Sequence, residues 1–73
     1  MNMLEKTLEK IIEREMRQTI RKQLESYKRR GIVPTTEQVM QGINDNALAT
    51  LTLHGFPPER IKSVIDDELR RCK

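Results

Sequence analysis

Apolar residues recur at every fourth position along the first part of the chain, a spacing typical of a helix face that winds slowly around the axis. No Gly or Pro interrupts residues 2–30, and Asn2 followed by Glu5 fits a capping box. Gly31 fits the left-handed position that ends a helix. The pattern therefore predicts one long helix over about residues 2–30. Its recurring apolar residues are Leu4, Leu8, Ile12, Met16, Ile20 and Leu24.

A second helical pattern covers about residues 35–54. Thr35 and Gln38 fit a capping box at its start, and Gly55 fits its end. Gly42 and the segment 44–46 are poor helix formers, so this helix is either continuous through Gly42–Asn46 with a bend or made of two pieces.

A third helix is predicted over about residues 58–72, because Pro suits its first position and apolar residues follow at helical spacing. The predicted fold class is all-α, a long N-terminal helix followed by a helical hairpin. This three-helix architecture is expected to form one small domain, residues 1–73, with the long helix in 1–31 and the hairpin in 32–73.

The apolar stripe of the first helix is wider than one hairpin can cover. A step of four residues advances about 40° around a helix, so the two halves of the stripe face different directions. We expect the C-terminal half to pack on the hairpin and the N-terminal half to pack on a second copy, a dimer being favoured, or on another protein. The alternative is a monomer whose first helix bends around the hairpin. The predicted association surface consists of Leu4, Leu8, Ile11 and Ile12.

Basic residues are concentrated in the first helix. Residues 1–31 hold nine basic and five acidic side chains, whereas residues 32–73 hold five and six. A row of cations along one helix face can follow phosphates, so nucleic acid is a possible partner. Against this, interleaved Glu residues form ordinary surface pairs, and one Tyr and one Phe provide little for base stacking. The possible nucleic-acid-binding residues are Lys6, Lys10, Arg14, Arg17, Arg21, Lys28, Arg29 and Arg30.

One acidic residue lies where an apolar residue is expected. At 100° per residue, Glu68 falls within the apolar face of the third helix. A carboxylate there either lies at the edge of the core or pairs with an Arg of the first helix, within one chain or between two. We predict a buried or interface ion pair at Glu68.

The segment 51–59 reads Leu-Thr-Leu-His-Gly-Phe-Pro-Pro-Glu and resembles the Met-Gly-Phe-Pro loop of ubiquitin-associated domains, in which the loop is a protein-docking surface. His54 stands where that family usually has Met. Gly-Phe-Pro also follows from helix punctuation alone, so we do not assign the chain to the family. Phe56 is accordingly either a core anchor beneath the turn or a partly exposed docking residue.

The sequence offers little for chemistry. One Cys and one His provide neither a disulfide framework nor an ordinary zinc site, and no phosphate loop or nucleophile motif is present. No apolar run approaches the roughly 18 residues that would cross a membrane. We therefore expect a cytoplasmic, non-enzymatic protein without a cofactor, a metal or a small-molecule substrate. The predicted function is that of a regulatory, adaptor or assembly factor that oligomerises through its first helix and binds a protein. The alternative is a basic dimer that binds nucleic acid.

Overall fold

The computed structural model describes residues 3–71 of the chain and the side chains of residues 6–71. Four helices follow one another in this part: α1 (Met3–Arg29), α2 (Thr36–Gln41), α3 (Asp45–Leu53) and α4 (Pro58–Arg71). No strand occurs among the described residues, so the predicted all-α class is confirmed. The proposed cap Asn2 lies outside the described residues.

The predicted second helix is two helices, so the hairpin contains three helices and the described chain four. The capping box at Thr35 is present: its hydroxyl accepts from the Gln38 N–H, and the Gln38 side chain accepts from the Thr35 N–H. Gly42 then ends α2, and the Asn44 side chain starts a new helix by accepting from the Ala47 N–H at 2.7 Å. The chain breaks here because a poor helix former is followed by a strong N-cap.

A glycine with positive φ follows α1, and another follows α3. Gly31 has φ +72° after α1, and the Ile32 N–H donates to the Tyr27 carbonyl at 2.9 Å. Gly55 has φ +92° after α3, and the Phe56 N–H donates to the Leu51 carbonyl at 2.8 Å. These are the two Schellman-type ends that the sequence predicts.

The core lies where α2 and α4 pack against the C-terminal part of α1. Phe56 is fully buried in it, so this aromatic ring is a core anchor beneath the turn. By contrast, α3 has no buried residue and packs least closely on the other helices. The buried apolar residues are Met16, Ile20, Leu24, Val39, Phe56, Ile61, Val64 and Ile65.

Candidate interaction groove

An open apolar groove of about 530 Å³ runs between the middle of α1 and α3. The helix α3 is not among the closely packed helix pairs, and apolar side chains of α1 and α3 line the space between these two helices. Glu15 is the one charged side chain among the described residues that line it. The apolar lining consists of Ile11, Ile12, Met16 and Ile20 on α1, and Ile43, Ala47 and Leu51 on or next to α3.

The predicted association surface leads directly into this groove. Leu8 and Ile11 are 48% and 43% exposed, which is high for large apolar side chains next to a core. Ile12 is half-buried and contributes both to the groove and to the edge of the core. The side chain of Leu4 lies outside the described part of the chain. The structure thus places Leu8 and Ile11 on one continuous apolar surface with the groove.

Sequence reasoning did not find the α3 side of the groove. Ile43, Ala47 and Leu51 recur at the helical spacing that is typical of a core-facing side. In the structure Ile43 and Leu51 pack half-buried against the core, and together with Ala47 they also line the groove. The signal that could have shown this is the break at Gly42–Asn44, because a second N-cap lets α3 start in a new direction.

Glu68 is buried, at 2% exposure, and both of its carboxylate oxygens accept from guanidinium groups of α1. Arg21 donates from Nε to Oε1 at 2.7 Å, and Arg17 donates from Nη1 to Oε2 at 2.7 Å. Arg17 also bonds Asp67 at 2.8 Å and lies 3.5 Å from Glu13. The structure therefore places the Glu68 ion pair within one chain, where it joins α4 to α1.

These contacts determine the charge of the acidic residues in the network. The hydrogen bond from Arg21 lowers the pKa of Glu68, which outweighs the opposing effect of burial. The hydrogen bond from Arg17 lowers the pKa of Asp67 in the same way. Hydrogen bonds to Asp67 and Glu68 raise the pKa of Arg17 above its ordinary value. The network is fully ionised at neutral pH.

The predicted basic stripe is divided by this network. Arg17 and Arg21 form ion pairs with Glu68 at the helix interface, and the Arg21 side chain remains 53% exposed. Lys6 and Lys10 share a shallow depression with Glu9, Glu13 and Arg60, so acidic groups accompany them.

The remaining cations of the stripe lie apart from that depression. Arg14 is exposed, and Lys28 and Arg29 are exposed at the end of α1. Arg30 stacks over the ring of Tyr27, at 4.8 Å from its centroid. All four side chains are exposed, and their binding of nucleic acid stays a prediction.

Among the described residues, no group of three His, Cys, Asp or Glu side chains is arranged to hold a metal ion. In the same part of the chain, no helix combines the length and the apolar character needed to span a membrane. No protein-family model, curated protein or solved structure matches the chain. Function is therefore inferred from the groove, the ion-pair network and the exposed surfaces.

Proposed function

We propose that this protein is a small, non-enzymatic interaction protein of the cytoplasm that self-associates through the first half of α1 and binds a protein partner. The observation that carries the proposal is the continuous apolar surface formed by Leu8, Ile11 and the groove between α1 and α3. A contiguous exposed apolar surface is typical of a protein contact site. A regulatory, adaptor or assembly role agrees with such a surface on so small a chain.

Further apolar surface lies outside the groove. Val33 is 89% exposed in the connection between α1 and α2, and Leu53 is 85% exposed at the end of α3. Because they do not line the groove, they remain accessible when the groove is filled. They are candidate contacts for the protein partner.

Leu8→Asp tests the self-association. Aspartate at this exposed position leaves the core intact but places a charge on the apolar surface, where burial of a carboxylate is strongly unfavourable. We expect sedimentation or light scattering to show a dimer for the wild-type chain and a monomer for Leu8→Asp, with the same helix content by circular dichroism.

Leu53→Asp is the matched control, since Leu53 is even more exposed and lies outside the groove. We expect it to dimerise as the wild type does. A wild-type chain that stays monomeric up to millimolar concentration, or equal dimerisation of all three chains, would overturn the proposed self-association.

The alternative proposal, a basic dimer that binds nucleic acid, rests on Lys6, Lys10 and Arg14 with the cations at the end of α1. It receives less support because Arg17 and Arg21 are held by Glu68.

A further inference from the structure

The exposed side chains and the groove occur in a fixed order along α1. Leu8 comes first, one turn before the groove, and the α1 side of the groove then extends from Ile11 to Ile20, about 14 Å at 1.5 Å per residue. At 100° per residue, Leu8, Ile12 and Thr19 lie within about 40° of one another. A protruding apolar residue and an apolar cleft thus lie in line on the same side of one helix.

We propose that the occupant of the groove is a second copy of this chain, bound with its α1 antiparallel to the first, so that Leu8 of each copy enters the groove of the other. This inference rests on the self-association proposed above and names its partner and geometry. A two-fold axis perpendicular to α1 sets residues that precede the axis in one copy opposite residues that follow it in the other. Because Leu8 precedes the groove along α1, such an axis brings Leu8 of each copy onto the groove of the other.

The position of the axis follows from the same spacing. Leu8 lies about 11 Å before the centre of the groove, so a two-fold axis near Ile12 places Leu8 over that centre. Ile11 and Ile12 then meet their own counterparts at the axis. A parallel pair, in contrast, sets Leu8 against Leu8 and groove against groove, which leaves both clefts unfilled.

The size of the contact agrees with a weak dimer. Antiparallel overlap over residues 3–20 is about 27 Å long and about two helix diameters wide, which gives about 500 Å² per copy and about 1,000 Å² in total. That area is at the lower limit of specific interfaces. We therefore expect dissociation in the micromolar range or weaker, with little dependence on salt because Glu15 is the one charge among the described lining residues.

Disulfide cross-linking tests the geometry, with Cys72→Ser as the background. A mixture of Leu8→Cys and Glu15→Cys chains is expected to give the mixed dimer on mild oxidation, because the axis brings these two positions together. Thr19→Cys alone should remain uncross-linked, since its two copies lie about 22 Å apart in the antiparallel pair. Glu25→Cys, exposed and outside the groove, measures the background from random collision.

A second measurement leaves the apolar surface unchanged. For this measurement, a spin label is attached at Lys22→Cys in the Cys72→Ser background, and these chains, without ¹⁵N, are mixed with ¹⁵N-labelled wild-type chains. The spin label should broaden amide signals at the N-terminal end of α1 in the wild-type chains. A parallel pair would instead broaden the signals around residue 22. A dimer that cross-links through Thr19→Cys, or that broadens around residue 22, overturns this inference and leaves the self-association standing. A chain that sediments as a monomer throughout overturns both.

Discussion

Glu68 occupies a buried position in the apolar face of α4, between the core residues Val64 and Ile65 and the end of the helix. A buried carboxylate is tolerated only when its charge is compensated and its oxygens are hydrogen-bonded. Arg21 and Arg17 meet both conditions, because Arg21 donates to both oxygens and Arg17 donates to Oε2. The pair therefore specifies how α1 and α4 align.

Glu68→Gln keeps the shape of the side chain and removes its charge. We expect it to lower the free energy of unfolding by about 1–3 kcal/mol, because the charge-assisted bonds are lost while the partly exposed Arg side chains regain water. Urea unfolding at neutral pH measures this. Glu25→Gln on the exposed surface of α1 is the control and should remain within about 0.5 kcal/mol. Equal stability of both variants would show that the pair does not stabilise the fold.

The same network predicts how stability changes with pH. The folded pKa of Glu68 lies below its usual value of 4.5, so the unfolded chain takes up protons first as the pH falls. The ion pair of Glu68 therefore contributes its full stabilisation above pH 4.5, and this contribution is lost as the pH falls through the lower pKa of the folded state. Urea unfolding at several pH values should show a steeper loss for the wild type than for Glu68→Gln. Parallel curves for the two chains would contradict the role given to this carboxylate.

Helical periodicity was sufficient to place Glu68 on the apolar face, and so to predict an ion pair there. It could not choose the partners, because Arg14, Arg17 and Arg21 all lie on the basic stripe of the first helix. Which of them reaches Glu68 depends on how α4 crosses α1, and that is decided by core packing rather than by either helix alone.

At the junction between α2 and α3, Asn44 caps the start of α3, and α3 lines one side of the groove. Asn44→Ala removes the side-chain oxygen that accepts from the Ala47 N–H. We expect about 1 kcal/mol of lost stability, the typical effect of removing an N-cap. Thermal unfolding by circular dichroism is the measurement. Asn46→Ala, two residues further on and already within α3, is the control and should have little effect. A larger effect at residue 46 than at residue 44 would contradict this assignment of the cap.

Helix ends were the most predictable elements, because each depends on a few neighbouring residues. Thr35 with Gln38, and the glycines at 31 and 55, act as their local chemistry predicts. The sequence does not decide between a bent helix and two helices at this point, because Gly42 is compatible with both. In the structure the second cap at Asn44 accompanies the break, and it is the feature that distinguishes two helices from one.

At the scale of the whole molecule, protein binding and nucleic-acid binding predict different salt dependence. Phosphate contacts weaken steeply with salt, whereas an apolar contact does not. We expect any mobility shift with DNA or RNA to disappear by about 0.15 M salt. A shift that persists above that concentration and is abolished by Lys6→Ala, Lys10→Ala and Arg14→Ala together would favour the nucleic-acid proposal. Arg17 and Arg21 are unsuitable for this test, because changing them also removes the partners of Glu68.

The sequence was sufficient to show that α1 has more apolar surface than a short hairpin covers, and it pointed to Leu8, Ile11 and Ile12. It could not show the groove, because the apolar residues of α3 have the spacing of an ordinary core face. Whether such residues are covered depends on the direction of α3 relative to α1. That direction is a tertiary property, which the pattern of one helix does not contain.

The central claim is that two copies meet at Leu8, Ile11 and the groove. A dilution series of ¹⁵N–¹H correlation spectra, from about 1 mM to about 10 μM, tests it most directly over the range expected for a weak dimer. We expect concentration-dependent shifts at residues 8–20 and 43–51, with little change in α4 beyond Val64. Spectra that do not change with concentration, or shifts confined to α4, would contradict it.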